Sequence, residues 1–189
     1  MELKEIRAVY TENTIRVYQA YSPLIAKEAV ERGRFGPHFS LNRMTWIKPS
    51  FLWMMYRCGW ALKPGQEHVL AIDLRRDAFD SIVRQAVPSS YRPELGVSRE
   101  EWKRAVIQSD LRCQWDPERD IHGNPLPYRS IQLGLRGEAV RSYVNDWIVE
   151  LRDITDYVEG LRIQKESGIS IDNLLPPEKP YPIAEEGTL

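Results

Sequence analysis

The sequence predicts an α+β fold, with central antiparallel or mixed β-sheets flanked by helices, and three observations carry that expectation. Runs rich in strand-favouring residues, at 6–10, 14–21, 68–74 and 128–135, are bounded by turn residues. Helical patterns with explicit start signals, Ser22-Pro23 and Ser98-Arg99-Glu100-Glu101, lie between those runs. A chain of 189 residues, 42% of them hydrophobic, is long enough to bury one real core. A single globular domain over 1–164 is therefore expected, followed by a polar, proline-rich tail over 165–189.

Taken in order, 6–10 and 14–21 can pair as a hairpin across Thr11-Glu12-Asn13. Alternation along the second run puts Arg16, Tyr18 and Ala20 on one face and Ile15, Val17, Gln19 and Tyr21 on the other. Ser22-Pro23 opens a helix whose apolar stripe is Ile25, Ala26, Ala29 and Val30, and Gly33 closes it. Residues 43–48 read as a short strand that ends at Pro49. Ser50 then caps a helix by accepting from an otherwise unpaired amide, and Gly59 stops it. Burying Arg43 and Lys48 without partners is costly, so this corner is expected to face a cleft, a partner or carboxylates.

Val69-Leu70-Ala71-Ile72 is apolar without a break, as in a strand covered on both faces. A helix is expected over 77–87, an exposed loop over 88–96, and a second helix after the capping box at Ser98. A strand over 111–115 is expected to give way to a polar connection over 116–125. The strand 128–135 places Tyr128, Ser130 and Gln132 on a polar face and Arg129, Ile131 and Leu133 on the other. Gly137 then leads into a helix with Val140, Tyr143, Val144, Trp147, Ile148 and Leu151 in register, and 174–180 should be extended.

Composition excludes more than it identifies. A net charge of −1 provides no overall basic field for nucleic acid, so a polyanion would have to meet a local patch. Cys58 and Cys113 have no metal-ligand spacing, and His38, His68 and His122 are far apart, so no metal is expected. There is no Gly-x-Ser-x-Gly elbow, Walker loop or dinucleotide fingerprint. The first residues carry acids and no apolar run of signal-peptide length, and no apolar stretch approaches the roughly 20 residues of a membrane span. A cytoplasmic setting is expected.

The segments Arg43-Met-Thr-Trp-Ile-Lys-Pro-Ser-Phe51 and Pro127-Tyr-Arg-Ser-Ile-Gln-Leu-Gly134, with Ile6-Arg-Ala-Val-Tyr10 and Ile15-Arg-Val-Tyr-Gln-Ala-Tyr21, closely resemble the family catalogued as domain of unknown function 4291, over roughly residues 5 to 160. More remotely, the order from Val17 through Ser22-Pro23, Gly33-Arg34-Phe35, Arg43-Met44-Thr45-Trp46 and Pro49-Ser50 to residues 69–74 looks like the ADP-ribosyltransferase-like fold. That resemblance implies NAD as cofactor. Gln19 stands where many members carry His, with Arg16 as the other first-strand candidate. Thr45 and Trp46 fall near the position that packs on nicotinamide, and Ser130-Ile131-Gln132 falls where a late-strand motif ends in a catalytic Glu.

Both the His and the Glu are replaced here. A neutral Gln132 can hold a ribose hydroxyl but gives less electrostatic stabilisation to an oxocarbenium-like transition state. RNA 2′-phosphotransferases of the same fold work without that Glu, through Arg and His groups around phosphate. Arg16, Arg43, Lys48 and Arg129 are the groups that could form such a cradle.

The implied reading is an NAD-like nucleotide site lined by Arg16, Gln19, Arg43, Thr45, Trp46, Lys48, Tyr128, Arg129, Ser130 and Gln132, with ADP-ribose transfer or action on a phosphorylated nucleic acid as its chemistry. In it Arg43 and Lys48 meet phosphates, Trp46 stacks on a ring and Gln132 holds a ribose hydroxyl. The alternatives are a non-enzymatic module that stacks single-stranded RNA or DNA on Trp46, Trp53, Trp60 and Tyr128, and an interaction domain whose aromatic residues are core.

Overall fold

A computed structural model describes residues 3–182. Along the chain run Leu3–Lys4 (β1), Arg7–Ala8 (β2), Thr14–Tyr21 (β3), Pro23–Arg32 (α1), Thr45–Ile47 (β4), Phe51–Cys58 (α2), His68–Arg75 (β5) and Arg76–Gln85 (α3). They are followed by Val87–Pro88 (β6), Arg99–Gln108 (α4), Leu111–Arg119 (β7), Pro125–Leu135 (β8), Gly137–Ser142 (α5), Ile148–Asp153 (β9), Thr155–Glu166 (α6) and Lys179–Pro180 (β10). The architecture is α+β.

β8 is the spine of a five-stranded sheet. It pairs antiparallel with β7 along one edge, and on the other with β4 at 133–135 and, in parallel, with β1 at 128–129. A second sheet has the order β3-β5-β9, all antiparallel. The two sheets are stitched where the Tyr18 amide donates to the Lys48 carbonyl at 2.8 Å. That stitch sets the C-terminal half of β3 beside the end of β4.

Alternation along β3 and β5 supplies two cores. Ile15, Val17, Leu70, Ile72 and Leu74 pack with Ile47, Ile131, Leu133 and Leu135 and with residues of α1, α3 and α5. Tyr18, Val69 and Ala71, on the opposite face, pack with Phe51, Met54 and Met55 of α2 and with Val158 and Leu161 of α6. The unbroken apolar run 69–72 is thus covered on both faces, as its composition requires.

Helix boundaries follow their signals. Ser50 Oγ accepts from the Trp53 amide at 3.1 Å, and Gly59 ends α2 in the left-handed region at φ 59°. Both bonds of the capping box at Ser98 and Glu101 are made. Pro23 stands at the first turn of α1, although the Ser22 side chain makes no capping bond.

Two expectations are corrected. The polar stretch 116–119 continues β7, with an irregularity between Pro117 and Arg119, so β7 and β8 form one long hairpin around a turn at 120–124. Pairing with β8 satisfies the backbone there despite the charges and Pro117. The helix expected from 137 through 151 ends early. Tyr143–Trp147 is a π-helical turn, and 148–153 peel away as β9 to cover the open edge of β5. Ile148 and Val149 are β-branched and suit that role.

After α6 and a 3-10 turn at Asp172–Leu174 the chain runs on to β10, which pairs with β2. Tyr181 is buried; its hydroxyl donates to Asp80 Oδ1 at 2.5 Å and accepts from Arg76 Nε at 3.0 Å. Residues 183–189 of the expected tail lie outside the described residues. No helix among the described residues is long and apolar enough to cross a membrane.

Candidate functional site

The turn from β4 into α2 forms one wall of a cleft of about 720 Å³. The end of β3 (residues 18–21), the 38–46 segment, and Gln114, Asp116 and Gln132 from the β7–β8 hairpin line the rest. The cleft therefore gathers Gln19, Arg43, Thr45, Trp46, Lys48 and Gln132 from the ten residues expected at the site. His38, Trp53, Arg57 and Asp116 join them.

Trp46 can lie over β8 because Gly134, its register partner, has no side chain. A Cβ there would come within 3.0 Å of the Trp46 ring and 2.7 Å of Met44 Sδ. Beneath the ring a buried polar network fixes β4. Gln19 Nε2 donates to Thr45 Oγ1 and to the Trp46 carbonyl, both at 2.8 Å, and Gln19 Oε1 accepts from the Tyr143 hydroxyl at 2.7 Å. Thr45 Oγ1 also bonds the Tyr21 hydroxyl at 3.1 Å. Both amide hydrogens of Gln19 are thereby used, and its geometry is that of a positioning group. Burial holds the Tyr21 phenol up at about 12, and raises that of Tyr143 as well, so this network stays neutral.

At the floor stands a charged cluster. Lys48 is 2% exposed, its Nζ 3.3 Å from Asp116 Oδ2 and 3.8 Å from the centre of the Trp53 ring. Desolvation pulls the Lys48 amine down to about 8 against the opposing pull of Asp116 and Glu118. Gln132 Nε2 donates to Asp116 Oδ2 at 2.7 Å, and Gln114 Nε2 to Asp116 Oδ1 at 2.8 Å. Lys48 thus serves the carboxylate. The exposed guanidinium groups of Arg43 and Arg57 make no ion pair or hydrogen bond among the described residues, so their donors are open to the cleft.

The α2 N-terminus behind this wall is already occupied. Ser50 Oγ donates to Glu118 Oε1 at 2.8 Å, and the Phe51 amide donates to Glu178 Oε1 at 2.7 Å. Desolvation raises the Glu178 carboxyl to about 8, with the Phe51 bond opposing.

Four expected site residues stand elsewhere. Arg16 faces its register partner Asp73, with Nε–Oδ1 at 2.8 Å and a second bond at 2.9 Å, and does not line the cleft. Arg129 donates to the Trp115 carbonyl at 2.9 Å. Ser130 is buried opposite Asp116 with no partner for its hydroxyl, and Tyr128 is half-buried beside β1. Only the Gln132 end of this polar face reaches the cleft. Asp116 is absent from the expected site because 116–119 reads as loop, and Gln114 because the strand 111–115 has no partner strand assigned from sequence. Their signal was the period-two series Gln114, Asp116, Glu118 facing Gln132 and Ser130. Among the described residues no group of His, Cys, Asp and Glu side chains could hold a metal ion.

Fold and cleft together define an α+β protein with a cation-rimmed polar cleft built on a β-hairpin and a strand–helix corner. The chain belongs to the family described as Domain of unknown function (DUF4291), whose profile matches residues 5–181. Comparison with curated proteins gives no match.

Proposed function

We propose that the cleft binds an NAD-like nucleotide and that the scaffold is of the ADP-ribosyltransferase-like kind. The observation that carries this reading is the convergence of Arg43, Arg57 and Trp46 with Lys48, Asp116 and Gln132 on one concave site. Free guanidinium groups in the lining suit phosphate oxygens, and an indole packed against β8 at Gly134 suits a planar ring. A volume of about 720 Å³ falls in the range of small-molecule and cofactor sites. Phosphates meet Arg43 and Arg57 in this reading, while Lys48 stays behind Asp116.

The single-strand reading has less behind it. Trp60 and Tyr128 do not line the cleft, and one face of Trp53 is taken by Lys48, so the four rings do not form a continuous stacking surface. Calorimetry on the full chain with NAD, ADP-ribose and ATP at millimolar concentration tests the proposal. Saturable heat with a nucleotide is expected. No heat with any of the three, or displacement of a bound oligonucleotide by salt but not by NAD, overturns it.

A further inference from the structure

Among the described residues, Asp116 is the one carboxylate lining a cleft that also carries Arg43, Arg57 and Lys48. An acid there works against any purely anionic ligand, so its place needs an explanation. It is a built feature: donors from the end of β4, from β7 and from β8 converge on it, through Lys48, Gln114 and Gln132. A carboxylate offers about four acceptor positions, and these donors fill three. The side chain keeps 17% exposure and lines the cleft. Two of the three donors are neutral amides, which orient the carboxylate without cancelling its charge, and Lys48 offsets that charge as an ion pair at 3.3 Å. Lys48 is 2% exposed and is held between Asp116 and the Trp53 ring.

We infer that Asp116 is the specificity-determining residue of the cleft, and that the ligand carries an anionic group for Arg43 and Arg57 together with a hydroxyl-bearing or cationic group that meets Asp116. Bare polyphosphate does not satisfy this, because it would bring negative charge to a fixed carboxylate. A nucleoside diphosphate extended by a hydroxylated sugar does, and so does one extended by a cationic ring. The inference rests on the nucleotide reading and deepens it by assigning the two ends of the ligand. Lys48 and Gln132 are positioning residues in it, since both act on Asp116.

The test titrates three probes, NAD⁺, ADP-ribose and inorganic pyrophosphate, into the wild-type chain, D116N and the double variant K48M/D116N. The double variant removes both members of the buried pair, so no uncompensated charge stays behind if D116N alone folds poorly. The wild type is expected to bind NAD⁺ and ADP-ribose more tightly than pyrophosphate. Both variants should lose about tenfold or more for the two nucleotides, with pyrophosphate unchanged or tighter. Equal nucleotide affinity in wild type and variants overturns the role of Asp116 and leaves the nucleotide reading standing. Wild-type binding of pyrophosphate as tight as that of NAD⁺ overturns it too. No nucleotide binding to the wild type removes both readings together.

Discussion

Two cation–carboxylate clusters in this molecule use similar residues to opposite ends. In the β3-β5-β9 sheet, Asp73 accepts two bonds from Arg16 and one at 2.9 Å from Arg152. Both arginines reach it from flanking strands, and the cluster closes on itself. At the cleft, Asp116 is met by one amine and two amides, and Arg43 and Arg57, which line the same cleft, make no ion pair or hydrogen bond among the described residues. The first cluster cross-links β3, β5 and β9. The second leaves charge facing a cavity, an arrangement that folding alone does not reward. The presence of arginine and aspartate does not distinguish the two; which group is left without a partner does.

The largest contrast lies in stability. Lys48→Ala strips a buried pair and uncovers the Trp53 ring, and should cost about 3 kcal/mol by denaturant unfolding. A loss no greater than that of an exposed pair would mean that the floor of the cleft is solvated. Gly134→Val pushes a side chain into Met44 and Trp46 at the β4–β8 contact, for which about 2 kcal/mol is expected together with a loss of nucleotide response. A variant of full stability and full binding would show that Trp46 need not lie against β8.

The pH dependence of Glu178 comes next. Its folded-state value of about 8 lies above the ordinary 4.5, so between these values the fold holds a proton that the unfolded chain has released. Stability from this group is therefore present below pH 4.5 and is lost as pH rises through about 8. Glu178→Gln should remove that loss, so that the difference in unfolding free energy moves in favour of the variant by ~2 kcal/mol or more between pH 5 and pH 8.5. Parallel Tm curves for the two proteins would contradict the burial of this carboxyl against α2. The smallest effect belongs to the closed cluster, where Arg16→Ala should cost ~1 kcal/mol and leave ligand affinity unchanged. Weakened binding in Arg16→Ala would return that residue to the site.

Local chemistry made much of this legible from residues alone. Pro49, Ser50 and Gly59 mark the β4–α2 corner because each acts within a few positions of itself, and the apolar run 69–72 announces a doubly covered strand. What stayed hidden depends on distant partners. Lys48 reads as a phosphate contact until Asp116, 68 positions away, is seen beside it. Arg16 reads as a site residue until Asp73 is placed opposite. The stretch 143–151 satisfies helical spacing, and only the vacant edge of β5 makes 148–153 a strand. Pro117 and its charged neighbours signal a loop, yet pairing with β8 holds them in a ladder and brings Asp116 to the cleft.

The most direct measurement is a side-by-side calorimetric titration of NAD⁺ into the wild-type chain and the double variant R43A/R57A. Saturable binding to the wild type is predicted, with about a hundredfold loss in the variant at unchanged Tm, since each arginine would give up a charge-assisted bond to phosphate. Equal binding by the two proteins would contradict the assignment of the free guanidinium groups to the ligand, and the absence of wild-type binding would contradict the nucleotide cleft itself.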